Sequence, residues 1–309
     1  VIVVVGESLV DLSSTADGAA AETVGGSPLN VAVALARLET PTLLITEIGA
    51  DERAATVVRH LQESEVEYVA VPTADGRTPT ATVLVDDGDP IFTVDLTWNL
   101  PHEELPHCDA LHVGSLGTVL EPGRDSVLDL VEQAWALDVF VSYDPNVRAG
   151  HLTEHDHDQA WGDIESLADR ANLVKLSEQD IELLHPGADP DDIARSLLTG
   201  DRTELVILTR GADGATAFTA SSEVSVGGIV VEVADTVGAG DAFMAAVLTV
   251  LLESDSLGNY GPGLPRDDER LTALLGAAVE AAGLSCARPG AAAPLRSELS
   301  PGWPGSAPS

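Results

Sequence analysis

Asp235-Thr236-Val237-Gly238-Ala239-Gly240-Asp241-Ala242-Phe243 is the most informative stretch of this chain. Upstream, Ile229–Val233 is rich in β-branched residues and reads as a strand; downstream, residues 239–253 carry a long apolar periodicity that reads as a helix. Glycines at a strand-to-helix turn let the backbone come close to a bound group. The first amides of a helix lack intrahelical partners and point outward, so they form an anion site. Asp241 then falls in the first helical turn. Its carboxylate is either a partner of the helix dipole or a chemical group beside that anion site, and residue types alone leave both open.

Outward from this point, apolar runs alternate with helical patterns. Core strands are expected at Val1–Val5, Leu43–Ile48, Ala110–Val113, Val139–Tyr143, Leu173–Leu176 and Leu205–Thr209. Helices are expected near 28–38, 52–64, 122–137, 177–185, 189–199, 239–253 and 269–285. That order predicts an α/β fold of three layers, a mostly parallel central sheet with helices on both faces. Ser27 can cap the helix that Pro28 opens. Two stretches break the rhythm. Residues 12–24 are small and polar, and 79–97 read as a hairpin, Thr80–Val85 and Ile91–Asp95 around Asp86-Asp87-Gly88-Asp89. Together they are expected to form a small β lid, which could equally be a dimer contact or a plain surface hairpin. The domain is expected over 1–296, with a disordered tail at 297–309.

The net charge is -36, from 51 acidic and 15 basic side chains. Such a chain is a poor partner for nucleic acid or anionic membranes, which require a basic footprint. Lys175 is the only lysine. The acidic, lysine-poor composition is expected to suit concentrated salt, where self-repulsion is screened. Cys108 and Cys286 give neither a disulfide framework nor a zinc spacing and are read as thiols of a cytoplasmic protein. His151, His155 and His157 are read as parts of a solvated loop rather than a metal cluster. No Gly-x-Gly-x-x-Gly string follows the first strand, which argues against an NAD-binding enzyme, and no Gly-x₄-Gly-Lys-[Ser/Thr] string occurs, which excludes a P-loop kinase.

The Asp235–Phe243 string closely resembles the C-terminal signature of the ribokinase-like (PfkB-type) carbohydrate kinases. Gly25-Gly26-Ser27-Pro28-Leu29-Asn30-Val31-Ala32 resembles the N-terminal motif of that family, and Gly6-Glu7-Ser8-Leu9-Val10-Asp11 the strand end where members carry a sugar-binding aspartate. Tyr143-Asp144-Pro145-Asn146-Val147-Arg148 is similar to a string of fructokinase-like members and of 2-keto-3-deoxygluconate kinases. The matches run in family order from Gly6 to Gly290. The resemblance implies that Asp241 is the catalytic base and that the amides of Gly238, Ala239 and Gly240 hold the transferred phosphoryl. It places the sugar against Asp11, Gly25, Gly26, Asn30 and Arg148. It places ATP against Lys175, Ser177, Thr209, Gly211 and Gly214, with Gly238 and Gly240.

Ser177 and Asp180 stand where the family carries Asn-x-x-Glu. Asp is shorter than Glu, so Asp180 is expected to meet Mg²⁺ through water. Lys175 is open between a phosphate contact and a structural ion pair. Ala277–Gly290 is similar to the segment that walls the adenine and, in many members, a monovalent cation such as K⁺. The implied activity is ATP-dependent phosphorylation of a primary hydroxyl of a small sugar. Fructose is expected first, because 79–97 lacks a cation to clamp a substrate carboxylate. The alternatives are a 2-keto-3-deoxygluconate kinase, a nucleoside kinase, for which only Trp98 near the lid offers a stacking surface, and a non-catalytic sugar-binding regulator.

Overall fold

The computed structural model describes residues 1–14, 20–86, 89–147, 157–198, 202–258 and 263–303. The main sheet is built from β1 (Ile2–Val5), β4 (Thr42–Ile48), β5 (Glu67–Pro72), β8 (Ala110–Gly114), β9 (Phe140–Asp144), β10 (Leu173–Ser177), β11 (Leu205–Thr209), β12 (Ala215–Phe218) and β13 (Glu223–Val226). A second sheet holds β2 (Leu9–Ser14), β3 (Ala20–Gly25), β6 (Thr80–Asp86) and β7 (Asp89–Asp95). The helices are α1 (Ser27–Arg37), α2 (Glu52–Glu63), α3 (Gly123–Ala136), α4 (His157–Ala168), α5 (Glu178–Leu184), α6 (Pro190–Ser196), α7 (Ala239–Glu253) and α8 (Asp268–Cys286). The main sheet runs in the order β13-β12-β11-β10-β9-β8-β1-β4-β5 and is parallel from β11 to β5.

A parallel strand covered on both faces needs apolar residues at every position rather than at alternate ones. β1 is Ile-Val-Val-Val and fully buried. Its Ile2 and Val4 face one core, with α1, α2, α7 and α8; Val3 and Val5 face the other, with α3 to α6. α7 is apolar almost all round because it lies under α1 and α8 at once.

Several expectations fail. Ile229–Val233 is no strand: Val230 and Val233 are exposed, and the backbone runs past the end of α8, where the Ala234 and Asp235 amides donate to the Cys286 carbonyl. β-branched composition makes a strand only where a ladder partner exists, and here the backbone bonds to a helix end instead. The tail is ordered to Trp303, whose ring is buried and whose Nε1 donates to the Ala277 carbonyl, with the Arg296 guanidinium 4.6 Å above the ring. One large aromatic thus anchors a segment whose prolines and glycines suggested disorder; residues 304–309 lie outside the described residues. Trp98 is buried, donating to the Gly117 carbonyl, and offers no stacking face. His157 opens α4, while His151 and His155 lie outside the described residues.

Among the described residues no helix is long and apolar enough to cross a membrane. Lys175 is buried, so the surface cations are arginines, paired with carboxylates at Glu22, Asp95, Asp163, Glu223 and Glu253 among others. These pairs cannot offset a net charge of -36. Screening shortens the range of repulsion from about 10 Å at 0.1 M salt to about 3 Å at 1 M. The melting temperature is therefore expected to rise from dilute buffer to molar KCl, and a flat or falling profile would contradict this.

Candidate active site

Residue Gly238 caps α7 in the left-handed conformation, φ 75°, and a Cβ there would stand 2.5 Å from Ala291 Cβ. Only glycine fits. The turn before it is tied by Asp235, whose Oδ1 accepts from the Val237 amide at 3.0 Å and Oδ2 from the Gly290 amide at 2.9 Å. The helix start therefore presents its dipole end in a fixed place. Of the three amides assigned to the anion site, that of Ala239 donates to the Thr236 carbonyl at 3.3 Å.

Asp241 is buried at 6 % exposure. Its Oδ1 accepts from Ser27 Oγ at 2.7 Å and its Oδ2 from Asn30 Nδ2 at 2.8 Å. Ser27 and Asn30 lie three residues apart on α1 and so share a face. Ser27 makes no helix-capping bond; its hydroxyl is turned to the carboxylate instead. Asn30, expected at the sugar, also holds Asp241. The glycines before α1 make this packing possible. A Cβ on Gly26, φ 107°, would lie 2.5 Å from the Glu7 carbonyl oxygen, and one on Gly25 would lie 2.2 Å from Asp11 Oδ2. Asp11 on β2 thus stands against the start of α1, opposite Thr23 of β3 and beside Ala81 of β6.

On the other side of α7, Lys175 rises from β10. Its Nζ donates to Asp144 Oδ2 at 2.8 Å, and both side chains are buried. The ammonium is 3.6 Å from the place a Gly240 Cβ would take. Burial alone would push this lysine down; Asp144, Asp180 and Asp241 outweigh that and hold its affinity for the proton above the ordinary value. Beneath it, His112 meets Ser142 Oγ at 2.9 Å through Nδ1, and burial, with the Lys175 charge, drops its pKa to about 3. His112 is neutral at physiological pH, and Lys175 is the one ammonium here. Asp144 Oδ1 is buried without a hydrogen-bond partner.

Asp180 is otherwise occupied. Its Oδ2 accepts from the amide and hydroxyl of Ser177, each at 2.7 Å, and its Oδ1 from the Val147 amide at 2.7 Å. With Ser177 it forms the capping box of α5. Three short bonds thus take three of the carboxylate's four lone-pair sites, and the buried side chain serves here to fix the start of α5. Among the described residues no group of three or more His, Cys, Asp or Glu side chains is arranged to hold a metal ion. The orphan oxygen of Asp144 suits the outer water of a magnesium ion held mainly by nucleotide phosphates, as that ion usually is. It sits at the C-terminal end of β9, the side on which parallel sheets bind ligands. Ser27 and Asp144 lie inside strings that the sequence marks, yet no local signal in those strings shows that one side chain holds Asp241 and the other pairs with Lys175.

Thr209 ends β11 with its hydroxyl on the Leu176 carbonyl. Gly211, φ 55°, has open space around it, whereas a Cβ on Gly214, φ 95°, would strike the Val226 carbonyl oxygen at 2.0 Å. The turn is held by Arg210, paired with Glu178 at 2.6 Å and with Asp191. Arg148 lies outside the described residues.

Residues 1–298 match the family model described as pfkB family carbohydrate kinase, and the chain belongs to that family. It is an ATP-dependent carbohydrate kinase on a ribokinase-like fold. It is 30% identical over 317 residues to a fructokinase of Escherichia coli, covering 96% of this chain and 97% of that one. A sugar kinase of Pyrococcus horikoshii, solved in complex with ATP, superposes with a TM-score of 0.78 at 25% identity over 97% of both chains. A Vibrio cholerae fructokinase, solved as a double mutant with fructose, ADP and potassium, gives a TM-score of 0.78 at 25% identity, covering 94% of this chain and 93% of that one.

Proposed function

We propose that this kinase transfers the γ-phosphoryl group of ATP to a primary hydroxyl of fructose, with Asp241 as the general base. The observation that carries the reading is the seat of that carboxylate. It is buried, aimed by Ser27 and Asn30, and set in the first turn of α7 within reach of the Lys175 charge. The sugar lies between the main sheet and the β6–β7 hairpin, against Asp11 and the Gly25-Gly26 turn. ATP lies along the C-terminal strand ends toward Thr209 and Gly211. Asp241 takes the proton of the acceptor hydroxyl as its oxygen attacks the γ-phosphorus in line. The amides at the start of α7 and the Lys175 ammonium stabilise the charge on the transferring group, which needs positioning and electrostatics more than covalent help. Magnesium, when bound, would neutralise phosphate charge, and Asp144 would meet it through water.

Fructose is favoured over a sugar acid by what surrounds the lid. A substrate carboxylate needs a free cation, and Arg77, beside the hairpin, is paired with Asp95 at 2.8 Å. Relatives described as fructokinases support the same choice. Buried Trp98 removes the stacking wall that a nucleoside would use. The two free thiols fit a reducing cytoplasm. Competing fructose against 2-keto-3-deoxygluconate at equal concentration, with ATP and Mg²⁺, tests the reading. A higher kcat/KM for the sugar acid overturns fructose, and no turnover on any sugar overturns the acceptor class.

Ser27 provides a sharper check of the base. Loss of a hydrogen bond to a charged group costs about 1.5–3 kcal/mol. Ser27→Ala is expected to lower kcat by about tenfold with the KM for ATP unchanged, as measured by steady-state kinetics at saturating sugar.

A further inference from the structure

Two carboxylates that the proposed chemistry does not use stand at the end of β4. Glu47 is its penultimate residue, 2 % exposed, and Asp51 is the cap of α2 just beyond. Each grips one end of the hairpin arm. Asp51 Oδ2 accepts from the Thr78 amide at 2.9 Å and Oδ1 from the Thr78 hydroxyl at 2.5 Å, two residues before β6 begins. Glu47 Oε2 accepts from the Asn99 amide at 2.9 Å, four residues after β7 ends.

The outgoing hinge is packed backbone on backbone. A Cβ on Gly49 would lie 2.3 Å from the Thr78 nitrogen and 2.5 Å from the Arg77 carbonyl carbon. The Ala50 amide donates to the Gly76 carbonyl at 2.8 Å and the Thr73 hydroxyl to the Arg77 carbonyl at 2.9 Å. Arg77 reaches across to Asp95 at the last residue of β7. The returning hinge is equally fixed: buried Trp98 donates to the Gly117 carbonyl, and its own carbonyl accepts from the Gly123 amide, both at 3.0 Å. Thus both ends of one arm rest on a single short stretch, the end of β4 and the turn that leads from it into α2.

The two grips differ in kind. Burial opposes the Asp51 charge, yet the Thr78 hydroxyl, the Thr78 and Ala54 amides and neighbouring Arg53 hold its carboxyl down at about 2. Burial raises the Glu47 carboxyl against the pull of the Asn99 amide, with Asp75 adding to the rise. A neutral oxygen at Glu47 can therefore do the same work, whereas Asp51 acts as an anion accepting several donors at once.

We infer that Glu47 and Asp51 are positioning residues for phosphoryl transfer: from the end of β4 they fix both hinges of the β6–β7 arm and so set where it stands over the acceptor sugar. The inference rests on the proposed seat of the sugar beneath that arm. A loosened arm admits water and lets the acceptor drift, which costs sugar affinity and lets ATP be hydrolysed without transfer.

The test separates the clamps from the cap and from general stability. Asp51→Ser keeps a short oxygen for the Ala54 amide, and so keeps α2 capped, while it withdraws from Thr78. Glu47→Met removes the Asn99 acceptor at similar volume, and Glu47→Gln retains it. In the double variant D51S/E47M, the KM for fructose should rise about tenfold or more while the KM for ATP stays within about twofold, and the share of ATP hydrolysed without fructose phosphate should increase. Amide hydrogen exchange in β6 and β7 should quicken relative to β1 and β8 in the absence of substrate. Glu47→Gln should match the parent enzyme in all four readings. If the double variant is poorly folded, Thr78→Val, which removes only the hydroxyl donor, should show the same pattern more weakly. Faster arm exchange with unchanged fructose KM and unchanged coupling overturns the inference, as does a parallel rise of both KM values. If the parent enzyme prefers another sugar, the functional reading fails separately, and the same comparison with that sugar still judges the clamps.

Discussion

Asp241→Asn is expected to lower kcat by about 10²–10⁴-fold, the usual contribution of a positioned general base. Binding should survive. Asparagine has the volume of aspartate, keeps one acceptor oxygen for Ser27 Oγ, and leaves the Gly238 cap of α7 untouched. Its amide would meet the Asn30 amide donor to donor, and rotation of the Asn30 amide group relieves this by offering its oxygen. What asparagine cannot do is accept a proton from the acceptor hydroxyl. Calorimetric Kd values for ATP and for fructose should therefore stay within about threefold while single-turnover transfer collapses. A variant that keeps the parent kcat removes Asp241 as the base.

Lys175→Met is expected to produce the largest loss of stability of any single substitution at the site. Lys175 is buried and surrounded by the carboxylates of Asp144, Asp180 and Asp241. Its pair with Asp144 need not be a net source of stability, since both ions have been taken from water. Removing one partner is another matter, because it leaves an uncompensated buried charge, typically at a cost of about 3–5 kcal/mol. Asp144 is ill placed to bear it, with Oδ1 already lacking a partner. Denaturant unfolding should show that loss. The double variant Lys175→Met/Asp144→Asn should recover most of it, because the orphaned charge is gone, yet remain deficient in kcat, because the ammonium near Gly240 is gone as well. Stability of the single variant equal to the parent would show that losing the Lys175–Asp144 pair leaves no costly buried charge. Full activity of the double variant would remove Lys175 from the phosphate site.

The legible part of this protein was the part written within a few residues of chain. Continuous apolar runs at β1, β8 and β11 announced strands buried on both faces, and the helical period over Ala239–Glu253 gave α7 its observed limits. The glycines at 25, 26 and 238 were legible because each meets a backbone demand, close approach or positive φ, that few other residues satisfy. The strings around Asp11, Asn30 and Asp241 were tied to one site by their resemblance to a kinase family, since a loop aspartate or a Gly-Gly turn carries no such meaning by itself.

Partners were not legible. Ser27 looks like a helix cap in sequence, yet its hydroxyl turns to Asp241, 214 residues away. Asp180 looks like a metal contact, and its carboxylate completes the capping box that Ser177 opens at the start of α5. Lys175 was open between phosphate and ion pair, and the fold brings it both to Asp144 and beneath Gly240. Ile229–Val233 has strand composition without a strand to pair with, and Trp303 finds its seat only on the completed α8. Chain propensity and periodicity come from interactions among near neighbours, which any short segment carries with it. A polar side chain's choice of partner is settled by which distant segments packing brings within about 3 Å, the reach of a hydrogen bond, and that distance exists only after the sheet and its helices have closed around it.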